Sequence, residues 1–192
     1  MITSIEQLDF SKAYTFKDYL SWKFSERVEL LKGYIAKMSP APTSKHQEIS
    51  SNLHFNVAYF LQKKPCKVFA APFDVYLPAI KGDGQTVVQP DLCVICDTSK
   101  IKKQGCVGSP DLVIEILSLG NSRKEVSTKF QIYEQAGVRE YWVVFPYEQV
   151  IHQYILQEGK FQTMPLAEIT IKSVVLEGLE VDIDTIFDTI AE

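Results

Sequence analysis

Two β-rich apolar runs, residues 91–95 and 112–117, stand near the middle of the chain on either side of a polar loop. Each is entered through a Pro-Asp pair, in QPDLCVI and in SPDLVIEIL. Short apolar runs bounded by turn residues are the mark of buried strands. Upstream, Ile49, Leu53, Val57, Phe60 and Leu61 recur at helical spacing and predict an amphipathic helix of about four turns. CKVFAAPFDVYLPA then reads as one strand, followed by a turn at 81–85, a second strand over 87–96, a loop, and a third strand over 112–118. The stretch 119–137 reads as a helix closed by Gly137. Ser122 and Glu125 have capping-box spacing there. Val126, Lys129, Tyr133 and Ala136 share one face, with Phe130 beside it. REYWVVF supplies a fourth strand. At the front, RVELLKGYIAKMSP predicts a tight hairpin about Lys32-Gly33, preceded by a short helix over 16–22 with Thr15 as its cap. At the back, VIHQYIL and KFQTM predict a second hairpin, and a short amphipathic piece covers 183–187.

The order is therefore helix, three consecutive strands, helix, strand, with a hairpin before and another after. No repeat, low-complexity stretch or linker interrupts it, so a single α/β domain over 1–192 is the economical reading. A chain of 192 residues can bury a proper core, and 46% hydrophobic with 23% charged residues is ordinary for a globular protein. The net charge of −4 gives no global case for nucleic-acid binding. Local basic clusters at 100–103 and Arg123-Lys124 are open to two readings, contacts to a phosphate backbone or solvated loops. Nothing at the start resembles a signal peptide and no apolar run is long enough to span a bilayer, so the expected location is the cytoplasm with no membrane partner. Cys66, Cys93, Cys96 and Cys106 are expected to be free, buried thiols. Cys93 and Cys96 are three apart in a strand and point to opposite faces, which argues against a zinc or redox pair.

The chemistry starts from Glu115, a carboxylate in an otherwise apolar strand, which is costly to bury unless something pairs it. If the second and third strands are antiparallel neighbours, Asp91 lies opposite Glu115, while Asp111 lies opposite residues near Asp97. Asp111 shares a face with Glu115 but sits roughly 13 Å along the strand. Two carboxylates about 4 Å apart repel by roughly 4 kcal/mol at an effective dielectric near 20. A proton or a cation between them relieves this, and oxygen ligands suit Mg²⁺ or Mn²⁺. The plain alternative has Asp91 capping the turn after Pro90 and Glu115 paired with a lysine or arginine. Lys129, in an apolar stripe, has two readings as well: its ammonium reaches the carboxylates, or it pairs with Glu125 one turn back.

At these residues the chain resembles the large bacterial family of restriction-endonuclease-like proteins within the PD-(D/E)XK nuclease superfamily. The resemblance runs through VELLKGYIAKMSPAP with His46, QPDLCVI, GSPDLVIEILS, KEVSTKFQIYEQAGVREYWVV and SVVLEGLEVDIDTIF. It implies a core of helix, three-strand antiparallel meander, helix and strand. It makes Pro90-Asp91 the PD element and sets Glu115-Ile-Leu117 where the superfamily has (D/E)-x-K. Leu117 departs from that lysine, and Lys129 matches the lysine this family carries on the following helix. Glu29 matches a further acidic position, with Glu48 on the first helix as the positional alternative, and Asp111 is implied to be structural. Leu119-Gly120, Glu125 and Phe145 depart from the family pattern; Phe145 replaces an aspartate.

The function this implies is Mg²⁺- or Mn²⁺-dependent endonucleolytic hydrolysis of nucleic acid, DNA before RNA. Asp91 and Glu115 would hold the metal, Lys129 would orient water or neutralise developing charge, and Glu29 would complete the acidic shell. The rival expectation is a non-catalytic nucleic-acid-binding or assembly module on the same fold, since a fold does not fix a function. Metal binding separates the two. A homodimer is a possible assembly, two-fold pairing being the commonest. No P-loop, G-x-S-x-G or H-E-x-x-H motif occurs.

Overall fold

The computed structural model describes residues 2–38, 42–79, 84–118 and 123–189. Helix α1 (Phe16–Ser21) opens with the predicted cap: Thr15 accepts from the Asp18 amide and Asp18 accepts from the Thr15 amide. Strands β1 (Val28–Leu31) and β2 (Tyr34–Lys37) form the predicted hairpin. Both of its turn residues have positive φ, Lys32 at 53° and Gly33 at 88°, as a two-residue type I′ connection requires. Helix α2 (Ser44–Phe60), capped by Thr43, buries His46, Ile49, Leu53 and Val57 along one stripe.

The next two predicted strands are each two strands. The first divides into β3 (Lys67–Ala70) and β4 (Val75–Leu77), and the second into β5 (Thr86–Val88) and β6 (Leu92–Ile95). The breaks fall at Pro72 and Pro90, which have no N–H to continue a ladder. At each break the chain passes from one sheet to another. β4 and β5 join β1 and β2, whereas β3 and β6 pair with each other in a second sheet. The loop expected over 99–109 contains a small hairpin, β7 (Ile101–Lys102) and β8 (Gly105–Val107), with β8 parallel to β4. The first sheet has the order β2-β1-β5-β4-β8-β7.

The second sheet carries the expected core. β9 (Leu112–Ile116) pairs antiparallel with β6, completing the meander of β3, β6 and β9. Helix α3 (Arg123–Ala136) follows and returns the chain to β10 (Glu140–Phe145), which runs parallel to β9. Gly137, at φ 82°, ends α3. Its amide bonds the Glu134 carbonyl while the Val138 amide bonds the Tyr133 carbonyl, the paired closure of a Schellman motif. The second predicted hairpin is β11 (Val150–Gln157) with β12 (Lys160–Thr163), giving the order β12-β11-β10-β9-β6-β3. A two-stranded pair not expected from the pattern, β13 (Thr170–Lys172) and β14 (Glu180–Asp182), leads into α4 (Ile183–Phe187). Strands of three residues are too short to show a period.

One face of the second sheet packs on α2 and α4 through Leu53, Val57, Leu112, Ile114, Trp142 and Ile186. The other face packs on α3 and on the first sheet through Val75, Cys93, Val113, Ile132, Tyr133 and Val143. Cys93 and Cys96 do point to opposite sides, but the expectation of four free thiols is corrected. Cys66 and Cys96 form a disulfide, and Cys93 and Cys106 are the buried free cysteines. Lys67 pairs with Ile95, so one step further the antiparallel register sets Cys66 opposite Cys96. The proposed cap of α3 by Ser122 and Glu125, the side chains of Arg123 and Lys124, Leu119-Gly120, and part of the turn at 81–85 lie outside the described residues. No helix among the described residues is long and apolar enough to cross a membrane.

Candidate active site

The register of β6 on β9 is Leu92 with Ile114, Cys93 with Val113 and Val94 with Leu112. One step beyond, Asp91 falls opposite Glu115. Asp91 Oδ2 accepts the Ile116 amide at 2.7 Å and lies 3.4 Å from His46 Nε2. Asp91 thus reaches across to the neighbouring strand instead of capping its own turn. Glu115 points to the α3 side, where Lys129 Nζ donates to its Oε1 at 3.0 Å and the Tyr133 hydroxyl donates to the same oxygen at 2.6 Å. Lys129 and Tyr133 are one turn apart on α3, which places both on one carboxylate.

Lys129 Nζ also lies 3.0 Å from Glu29 Oε1 on β1, and that oxygen accepts the Gln89 amide at 2.9 Å. All three charged side chains are buried, with 5% of Glu29 and 11% of Glu115 and Lys129 exposed. The site therefore sits where the two sheets and α3 meet. The site reading of Lys129 is the one the described residues carry: its ammonium is on Glu29 and Glu115, and the side chain at position 125 lies outside them. The two readings of Glu115 merge, because the lysine that pairs it is Lys129 itself.

The charges explain the electrostatics. Burial pushes the Glu115 carboxyl up to about 7; Lys129 opposes this, the negative charges of Asp91 and Glu29 reinforce it, and the Tyr133 hydrogen bond offsets part. Burial alone would lower the Lys129 ammonium, but Glu115 and Glu29 overcompensate and hold it protonated well above its usual range. Burial likewise pulls His46 down, yet its hydrogen bond to Asp91, the Asp91 charge, the Ile116 backbone and Glu115 leave the imidazole raised. Among the described residues its buried Nδ1 has no hydrogen-bond partner.

Asp91 and Glu115 have the donor chemistry for a divalent ion. Opposed residues of an antiparallel pair bring their Cβ atoms roughly 4.5–5.5 Å apart. Among the described residues their contacts run through one oxygen each, Oδ2 and Oε1. Mg²⁺ characteristically takes one or two carboxylates and keeps several waters; Glu29 and Glu115 share the one ammonium of Lys129, and Asp91 adds a further negative charge felt at Glu115. No grouping of three or more His, Cys, Asp or Glu able to hold a metal occurs among the described residues.

The remaining candidates lie elsewhere. Asp111 accepts the Cys96 amide at 2.8 Å and Arg139 Nη1 at 3.1 Å, clamping the far end of β9. Glu48 is two residues from His46, about 200° around α2. Leu117 packs in the core on the α3 side. His46, Tyr133 and Gln89 belong to the cluster without having been singled out for it. His46 carries a signal, since it continues the buried stripe of Ile49, Leu53 and Val57 at helical spacing.

An antiparallel meander, a parallel fourth strand and buried acids at the sheet junction define a restriction-endonuclease-like α/β protein. A family model described as "Putative restriction endonuclease" (Uma2) matches residues 16–184, and the chain belongs to that family. Among solved structures it is similar to one described as a "putative nuclease belonging to DUF820" from Anabaena variabilis ATCC 29413. The TM-score is 0.70 at 22% identity, covering 90% of this chain and 97% of that one. No curated protein matches the chain.

Proposed function

We propose that the chain is a metal-dependent endonuclease that hydrolyses phosphodiester bonds, with DNA as its substrate and the cytoplasm as its setting. The observation that supports this is Lys129, buried between Glu29 and Glu115 beside Asp91. Membership of the restriction-endonuclease family and the likeness of fold agree with it. Asp91 and Glu115 would hold Mg²⁺ or Mn²⁺, which when bound polarises the scissile phosphate and acidifies a water. Tyr133 fixes one oxygen of Glu115 and so orients the carboxylate. Lys129, held protonated, is the cation for the charge that develops on the phosphate. Glu29 tethers Lys129 from the first sheet. His46 sets the orientation of Asp91.

The test is cleavage of supercoiled plasmid, single-stranded DNA and RNA with Mg²⁺ or Mn²⁺, beside Asp91→Ala and Glu115→Ala. Metal-dependent cutting of DNA that is lost in both variants is the expected result. No cutting under any condition, together with no metal binding by calorimetry, overturns the proposal in favour of a non-catalytic module.

A further inference from the structure

We infer that an aromatic shelf beside the candidate active site binds an unpaired nucleobase, so that the substrate is engaged as a single strand. The inference rests on the nuclease reading above and extends it to the state of the nucleic acid. Its basis is a row of residues on one face of the second sheet. Val143 on β10 pairs with Glu115 on β9 and with His152 on β11. Directly paired residues share a face, so Glu115, Val143 and His152 form one row, with Glu115 and His152 roughly 10 Å apart at the ordinary strand spacing. Phe145, two residues beyond Val143, is on the same face. Its ring packs on the His152 imidazole with centroids 4.8 Å apart. His152 Nδ1 is 3.4 Å from the Tyr154 hydroxyl, and Tyr154 is braced edge-on by Phe130 at 5.0 Å.

Phe145, His152 and Tyr154 are all half-buried. Rings of this kind normally sink into the core or carry their polar tips to water. Here Tyr154 is backed by Phe130 and Tyr141, Phe145 packs on His152, and all three rings remain partly open. A base stacks on such a surface whatever its sequence, because every base has a π-face. A paired base has both faces occupied by its neighbours, so the shelf discriminates strand state and not sequence. The turn after β10 adds the exposed ring of Tyr147 with the Lys45 ammonium 4.8 Å over its centre. Lys45 precedes His46, which touches Asp91, so a cation is available on the α2 side for the flanking phosphate.

The test is fluorescence anisotropy with a labelled oligothymidylate, its duplex with oligoadenylate, and the same strand carrying abasic sites, in Ca²⁺. Wild type is expected to bind the single strand more tightly than the duplex. Phe145→Leu, which keeps the apolar volume without a ring, and His152→Ala should each weaken single-strand binding at least about fivefold, the lower bound for one lost stack. Duplex binding should move by less than about twofold, and the abasic strand should bind wild type no better than the variants. Phe145→Tyr should retain wild-type binding, which separates loss of a ring from loss of fold. Phe55→Ala, on the outer face of α2, is the control and should change nothing. Single-strand binding indifferent to both substitutions, or single-strand and duplex binding weakened alike, overturns the shelf. The readout needs no cleavage: a ring-dependent single-strand preference without cutting removes only the nuclease reading, and cutting without that preference removes only the shelf.

Discussion

Lys129 lies 3.0 Å from Glu29, a residue one hundred positions away, while it holds Glu115 at the same distance. One cation thus ties an acid of the first sheet to an acid of the second. Removing it leaves two buried carboxylates facing each other, and breaking a buried pair typically costs about 3–5 kcal/mol. Lys129→Met should lose stability of that order in chemical denaturation. Adding Glu115→Gln to it should recover a large part, because the second change removes the orphaned charge. If the double variant is no more stable than the single one, the cation is not the junction's fastener.

The raised carboxyl of Glu115 makes a pH prediction with a definite sign. A group whose folded pKa is above its unfolded value adds stability at low pH and loses it as pH rises through the folded value. For Glu115 the window runs from its ordinary 4.5 to about 7. Without metal, the stability of wild type relative to Glu115→Gln should therefore fall between pH 5 and pH 8. Mg²⁺ binding should release a proton within that window, so its calorimetric affinity should rise from pH 5.5 to pH 7.5 and then level. A flat profile in wild type would remove Glu115 as the titrating ligand.

Asp111 and Glu115 are four residues apart on one strand yet belong to different structures. Asp111 holds the Cys96 amide and Arg139. Asp111→Ala should cost about 1–3 kcal/mol through the unsatisfied amide and leave cleavage per folded molecule unchanged. Loss of turnover without loss of stability would place Asp111 in the site after all.

The opposition of Asp91 and Glu115 was legible because both strands were short, apolar and entered through the same Pro-Asp pair, so that antiparallel pairing fixed their register. The helical face of Lys129 and Tyr133 was legible for a similar reason, since period and polarity conflict at Lys129. What the pattern hid was the division of the strands between two sheets. The segments 66–79 and 87–96 are extended almost throughout, and nothing in a hydrophobic run states that its halves serve different sheets. Only Pro72 and Pro90 mark the change. For the same reason Glu29 was placed by resemblance alone, its approach to Lys129 being set by sheet packing. Lys129 was likewise ambiguous from spacing, because a partner at position 125 and a partner on a strand look identical along a helix.

Glu140 is a further buried acid, fully enclosed on β10. Its oxygens accept from Trp142 Nε1, Gln153 Nε2, the Ser173 hydroxyl and the amides of Val174 and Val175. It therefore pins the segment after β13 to the second sheet. Glu140→Ala would strand several buried donors at once, at about 1–3 kcal/mol for each left unsatisfied. A loss on the order of 4 kcal/mol, large for a single substitution, is expected by denaturation. Hydrogen exchange at the amides of Val174 and Val175 should accelerate before the rest of the sheet; protection unchanged there would show that the carboxylate does not hold the segment.

Cys66 and Cys96 close a loop of separation 30 that contains β4 and β5, the chain's return to the first sheet between β3 and β6. In the chain-entropy picture a link of that length stabilises by about 3–4 kcal/mol, through the unfolded state. Reduction should lower the melting temperature of wild type. Cys66→Ser should melt near reduced wild type and show no further response to reductant. The disulfide clamps the β3–β6 edge, with Cys96 six residues from Pro90, while Asp91 is held independently by the Ile116 amide and His46. Mg²⁺ affinity should therefore survive reduction at temperatures where the protein stays folded. If affinity falls together with the disulfide while the fold persists, the clamp positions Asp91 as well as the edge, and the site is less self-supporting than its hydrogen bonds imply.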